Sequence, residues 1–235
     1  MGERTLARSG NILITGAARG IGLEFARQYA ELGWRVHAAC REPKAAHGLL
    51  TLPGEVTVHK LDVTHPKQLT HLVRELEGEP IDLLINNAGI MGPRDRTFGT
   101  LDYDAWEEVL RVNTLAPIRV TEAFLDNIVA SERKLIVSIS SVFGSIGSNE
   151  DGGSYLYRSS KAALNAAMKS LAIDLRDQEA TVVVLHPGWV RTDMGGTEAA
   201  LSVEDSVAGM RALIDHLKPT QSGHFFGYDG GEIPW

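Results

Sequence analysis

An α/β fold with a doubly wound parallel sheet is predicted by three features of this 235-residue chain. Short apolar runs alternate with amphipathic stretches of ten or more residues. Hydrophobic residues make up 43% of the chain and aromatics only 6%. The core must therefore be built from Val, Ile, Leu and Ala, as in strands covered on both faces. Glycines, hydroxyls and amides gather just past the ends of the apolar runs. A βαβ alternation of this kind forces right-handed crossovers and places helices on both sides of the sheet.

In chain order, Asn11–Thr15, Arg35–Arg41, Val56–Val63, Ile81–Asn86, Lys134–Ser140 and Thr181–His186 read as strands. Gly20–Leu32, Pro66–Leu76, Tyr103–Ala130 and Tyr155–Asp177 read as helices, and another follows the capping residue Ser202. There is no repeat, low-complexity tract or linker, so residues 1–235 read as one domain. Ligands in such sheets bind beyond the carboxyl ends of the strands, near the reversal of strand order. The residues placed there are Gly16, Arg41, Asp62, Asn87, Ser141 and Pro187-Gly188.

Bulk properties exclude several functions. The net charge of -7 argues against a nucleic-acid or anionic membrane surface. No run of about 18 apolar residues exists to span a bilayer. The segment beginning MGERTLARSG lacks the apolar region of a signal peptide, and Leu6 stands where a myristoylation signal needs Ser or Thr. The lone Cys40 excludes an internal disulfide, and the eight histidines show no metal-ligand spacing, so no metal is expected. A cytoplasmic location is the expectation.

The first strand runs into Thr15-Gly16-Ala17-Ala18-Arg19-Gly20-Ile21-Gly22 and then a helix. Glycines permit a tight turn and close approach of a diphosphate to backbone N–H groups at a helix start. The spacing is Gly-x-x-x-Gly-x-Gly, not the general dinucleotide fingerprint Gly-x-Gly-x-x-Gly. The end of the second strand should select the cofactor. An acid there binds a ribose 2′-hydroxyl, whereas an arginine accommodates a 2′-phosphate. The acidic place holds Cys40, read as a small packed residue, and Arg41 follows, with Arg19 as a second cation. NADP(H) is therefore the preferred cofactor. Glu42 leaves NAD(H) open.

Tyr157 and Lys161 open a helix four residues apart and so share a face. An ammonium beside a phenol favours the phenolate and makes it a usable acid or base. Ser141 ends a buried-strand pattern, where its hydroxyl could hold a carbonyl oxygen or simply form a turn. Asn113 is a poor helix-interior residue inside a helical stretch, placed there to hold a water, to distort the helix, or as an exposed polar residue.

These residues together resemble the short-chain dehydrogenases/reductases over essentially the whole chain. The resemblance implies a Rossmann-type sheet of about seven strands in order 3-2-1-4-5-6-7. It assigns Asn113, Ser141, Tyr157 and Lys161 to the catalytic tetrad. The cofactor site it implies comprises Gly16, Arg19, Gly20, Ile21, Gly22 and Arg41, with Asp62 and Val63 at the adenine. Asn87, Ala88 and Gly89 follow the fourth strand, and Pro187, Gly188, Val190 and Thr192 lie at the nicotinamide, with Tyr157 and Lys161 also touching it. The segments Cys40-Arg41-Glu42-Pro43 and His186-Pro187-Gly188-Trp189-Val190-Arg191-Thr192-Asp193-Met194 narrow the resemblance to C-factor and sniffer-type carbonyl reductases.

The implied reaction is hydride transfer between NADP(H) and a small carbonyl or alcohol. Tyr157 would move the proton, Ser141 orient the oxygen, Lys161 lower the phenol pKa and hold ribose hydroxyls, and Asn113 anchor a water. The short segment Gly195–Leu201 implies a small lid. Val142, Phe143, Trp189 and Met194 are candidates for lining the substrate site or for the core. Relatives pair through the helices of Asn113 and Tyr157, so a homodimer or homotetramer is expected. The alternative is a non-enzymatic dinucleotide-binding signalling protein of C-factor type, which has no need of the whole tetrad.

Overall fold

Seven parallel strands lie in the order β3-β2-β1-β4-β5-β6-β7 in a computed structural model that describes residues 9–235. The readings made on the N-terminal MGERTLAR lie outside the described residues. The strands are β1 (Asn11–Thr15), β2 (Arg35–Cys40), β3 (Val56–Lys60), β4 (Leu83–Asn86), β5 (Leu135–Ile139), β6 (Thr181–His186) and β7 (Phe225–Gly227). The helices are α1 (Gly20–Glu31), α2 (His47–Leu50), α3 (Pro66–Glu75), α4 (Tyr103–Leu110), α5 (Ala116–Ala123), α6 (Leu125–Val129), α7 (Tyr155–Asp174) and α8 (Val203–Asp215). The fold class and strand order are those expected from the sequence.

The two-residue period of the strands divides the core. Ile12 and Ile14 of β1 face one layer, where Phe25, Tyr29, Val207 and Met210 of α1 and α8 cover them. Leu13 faces the other, with Leu72, Phe124, Leu164 and Met168. Each side chain removed from water there stabilises the fold by about 1.5–3 kcal/mol. Every residue of β4 and β5 is buried, which is why these runs read as continuously apolar. The order reverses between β1 and β4, both of which pair in parallel register, and the chain exits from their carboxyl ends in opposite directions.

Several boundaries differ from expectation by one or two residues, and β3, expected to run to Val63, ends at Lys60; the larger differences are in the helices. The helix expected over Tyr103–Ala130 is divided. A π-helical turn at Arg111–Leu115 separates α4 from α5, and the chain breaks again at Phe124 before α6. Pro117 has no N–H to donate to the carbonyl of Asn113 four residues back, so the α ladder cannot pass through this point. The helix expected over Tyr155–Asp177 ends at Asp174, and a 3₁₀ turn at Arg176–Gln178 takes its last residues. The three-residue β7 and the four-residue α2 are too short to give a periodic signal.

Candidate active site

The carboxyl ends of β1 and β4 are fastened together by side chains. Thr15 Oγ1 accepts the N–H groups of Asn87 (3.1 Å) and Ala88 (3.2 Å), and Asn87 Nδ2 donates to the carbonyls of Thr15 (2.9 Å) and Gly16 (3.0 Å). The backbones meet so closely that side chains are excluded. A Cβ on Gly16, whose φ is +67°, would stand 2.8 Å from Ala88 Cα. One on Gly22 would stand 2.5 Å from Asn87 Nδ2. Gly20 (φ +54°) faces Thr192, and Ile21 lines the adjoining cavity.

The start of α1 has no side-chain cap and no acid in its first turn. Its N–H groups are thus suited to phosphate oxygens. These features fit a dinucleotide in the glycine cradle. Arg41 is exposed one residue past β2, with Cys40 buried beside it. Arg19 is also exposed, but its Nη1 donates to Asp193 Oδ2 at 2.6 Å. That solvated pair contributes little, and it qualifies the reading of Arg19 as a phosphate ligand. Burial works to raise the Asp62 pKa. Hydrogen bonds from Thr64 N and Oγ1, with Arg41 near, overcome it and hold the carboxyl below its usual value. Val63 packs half-buried against the core.

The proton-transfer residues converge on the carboxyl end of β5. Gly152, Gly153 and Ser154 all have positive φ and turn the chain sharply into α7. Tyr157 and Lys161, on its first two turns, are both buried. Lys161 Nζ lies 5.8 Å from the Tyr157 ring centre and donates to the carbonyl of Ile139 at 2.8 Å. The Ser141 hydroxyl is near enough to the Tyr157 phenol to lower its pKa, and its Oγ accepts from Phe143 N at 3.2 Å.

Burial is the largest influence on the phenol and pushes it up to about 12, while the Ser141 hydroxyl pulls the other way. Burial also lowers Lys161 to about 8. The expected lowering of Tyr157 by Lys161 is therefore not the effect that governs the phenol here. The ammonium is directed to a backbone carbonyl, and desolvation of the phenolate dominates.

Asn113 sits in the π turn with no exposed surface. Its Nδ2 donates to Ile90 O (2.8 Å) and Ser160 Oγ (3.0 Å), and its Oδ1 accepts from Ile90 N (2.9 Å). It therefore clamps the loop after β4 to α7. A Cβ on Gly89 would come within 3.3 Å of Asn113 Oδ1 and 3.7 Å of Lys161 Nζ, which places this glycine against the same cluster.

The phenol and Ser141 open on a cavity of about 640 Å³. Pro187, Gly188, Val190 and Thr192 form one wall, and Val142, Phe143, Trp189 and Met194 all line it. The segment after β6 is tied to itself by Trp189 Nε1 to Gly195 O (2.9 Å) and Arg191 to Ala199 and Ala200 O, which makes a short, shaped lid.

Sequence reasoning passed over several contributors. Thr15 and Ser160 hold the loops described above, and nothing local in the sequence marks a serine or threonine that braces a distant amide. His186 lines the cavity with a buried Nδ1 that has no partner among the described residues, and burial lowers it to about 4, so it is neutral. Arg94 and Arg96, in the loop after β4, also line the cavity. Among the described residues no cluster of three or more His, Cys, Asp or Glu could hold a metal ion.

Comparison with known proteins places these features among relatives. The family model described as short chain dehydrogenase matches residues 10–201. The C-signal protein of Myxococcus xanthus is 47% identical over 156 residues, 66% of this chain and 93% of that protein. The structure of the carbonyl reductase Sniffer of D. melanogaster superposes with a TM-score of 0.92 at 34% identity, covering 97% of this chain and all of the other. An NADPH-bound carbonyl reductase from chicken fatty liver superposes with a TM-score of 0.90 at 34% identity and the same coverage.

Proposed function

The chain belongs to the short chain dehydrogenase family, and from that premise we propose that it is an NADP(H)-dependent carbonyl reductase acting on aldehydes or ketones. The observation that carries this reading is the buried Tyr157 phenol, backed by Lys161 and sharing with Ser141 a cavity walled by Pro187-Gly188. NADP(H) is the preferred cofactor because Cys40 stands where an acid would bind a ribose hydroxyl, with Arg41 next to it, and because solved relatives carry NADPH or NADP.

The bound dinucleotide would supply the hydride. Gly16, Gly20, Gly22 and the start of α1 would take its diphosphate, Asp62 and Val63 its adenine, and Asn87 to Gly89 would border it. Tyr157 donates its proton to the carbonyl oxygen. A phenol pushed up to about 12 stays protonated across neutral pH, so the acid is loaded before reduction. Ser141 holds the same oxygen through its hydroxyl. Lys161, charged below about pH 8, holds ribose hydroxyls and returns a proton toward Tyr157. Asn113 keeps the loop after β4 in place. Its backbone carbonyl, deprived of a donor at Pro117, is the acceptor we assign to a relay water.

The kinship with C-signal supports a second reading, a dinucleotide-binding signalling protein without turnover. A spectrophotometric panel of aldehydes, ketones and quinones decides between the two. The reductase reading expects carbonyl-dependent loss of NADPH absorbance. Tight NADPH binding with no consumption by any member would favour the signalling role.

No helix among the described residues is long and apolar enough to cross a membrane, and we assign the protein to the cytoplasm. Ala162, Ala163, Ala166 and Ala167 of α7 are not buried within the chain, which supports a homodimer or homotetramer through that helix.

A further inference from the structure

The loop that follows β4 places two guanidiniums, Arg94 and Arg96, on the wall of the cavity that also holds Ser141 and Tyr157. Among the described residues no aspartate or glutamate lines that cavity, although the whole chain carries seven more acids than bases. Phe143, Trp189, Leu156 and Met194 give the wall a large apolar area, beside hydroxyls such as those of Ser141 and Thr192. A cleft lined by charge of one sign raises the local concentration of ligands of the opposite sign, so a positive pair in an acidic protein favours an anionic group on the ligand.

Neither arginine is used up by the fold. Arg94 Nη2 donates to the carbonyl of Met194 and thereby ties the loop to the lid. That bond leaves the remaining N–H groups of the fork without a carboxylate partner among the described residues. Arg96 has only a loose, exposed contact, Nε to Asp95 Oδ1 at 3.8 Å, and Asp95 does not line the cavity. The neighbouring lid acid, Asp193, is already held by Arg19. A third guanidinium, Arg158, stacks 4.2 Å over the ring of Phe143, whose other neighbour at 6.2 Å is the Tyr157 ring. The aromatic ring thus lies between the proton donor and a positive rim.

We propose that the substrates of this site are aldehydes or ketones with an apolar body and a carboxylate remote from the carbonyl, and that Arg94 and Arg96 bind the carboxylate. This rests on the reductase reading above. The cofactor's phosphates do not compete for these arginines, because they are assigned to the glycine loop after β1 and to Arg41. A guanidinium fork matches the two oxygens of a carboxylate, and the apolar side chains of the wall suit the body of the molecule. The carboxylate takes no part in the redox step. It fixes which end of the molecule meets Tyr157.

The test compares 4-formylbenzoate with its methyl ester, two aldehydes with the same aromatic body, of which only the first carries a charge. The wild-type protein is expected to show a kcat/KM for the carboxylate about tenfold or more above that for the ester. Arg96→Gln and Arg94→Gln, made separately, should each shrink that ratio several-fold, and added salt should shrink it too. Because the ratio is internal to each protein sample, partial misfolding of a variant does not alter it. Equal kcat/KM values for the two aldehydes in the wild type, or a ratio that survives both substitutions, would overturn the proposal.

A binding arm separates this failure from failure of the reductase reading. Calorimetry on the NADPH-loaded protein compares the non-reducible 4-methylbenzoate with 4-methylbenzamide. Preferential binding of the carboxylate, lost in Arg96→Gln, supports the anion site even if no aldehyde is reduced. Absence of that preference rejects it whether or not aldehydes turn over.

Discussion

Single residues carry the choice of cofactor and the chemistry. Arg41 is exposed at the end of β2, and Cys40, where an acid would hold a ribose hydroxyl, is buried. A charge-assisted hydrogen bond to a phosphate is worth about 1.5–3 kcal/mol. Arg41→Asp is therefore expected to cut the NADPH-to-NADH ratio of kcat/KM by about tenfold to a hundredfold. A ratio that does not move would remove Arg41 from the 2′-phosphate site. The positions of Arg41, Ser141, Tyr157 and Lys161 were legible in the sequence because each stands at a fixed offset from a strand end or shares a helical face. The protonation balance was not. The spacing of Tyr157 and Lys161 suggested an ammonium that lowers a phenol, whereas burial of both groups controls their pKa values. Burial depends on what β5 and the loop after β4 bring over α7, and a four-residue spacing does not report it.

At the scale of elements, the π turn at Arg111–Leu115 is the piece that joins fold to site. It turns the Asn113 amide inward to a place with no exposed surface, where it satisfies both backbone polar groups of Ile90 and one hydroxyl of α7. Asn113→Ala deprives both backbone polar groups of the half-buried Ile90 of their partner and leaves Ser160 Oγ only its bond to Tyr157 O, at a cost of about 2–3 kcal/mol. For a chain of this length that lowers the melting temperature by about 5–10 °C, and a calorimetric melt checks it. An unchanged melt would show that the amide is not holding the loop. The sequence showed an asparagine misplaced in a helix and a proline after it. It did not show that the two together open the ladder, because the partners of Asn113 lie 23 and 47 residues away along the chain. The single long helix read over Tyr103–Ala130 failed for the same reason. The long strands and α1 were legible because their periodicity is local, and β7 was not, because three residues hold no period.

For the molecule as a whole, reversal of strand order between β1 and β4 opens the crevice in which every proposed step takes place. The glycine loop, the β4 amides, the π turn and the start of α7 come from three separate crossovers, yet all end at one edge of one sheet. At that edge, in the proposed mechanism, Tyr157 gives its proton to a substrate carbonyl. This transfer is tested most directly by Tyr157→Phe, assayed for NADPH oxidation against the best carbonyl found and for NADPH affinity by fluorescence titration. Loss of one general acid should lower kcat by about 10²–10⁴-fold, with NADPH affinity within about threefold of the wild type because the cradle after β1 is untouched. A phenylalanine variant that still reduces the carbonyl at the wild-type rate would contradict the claim.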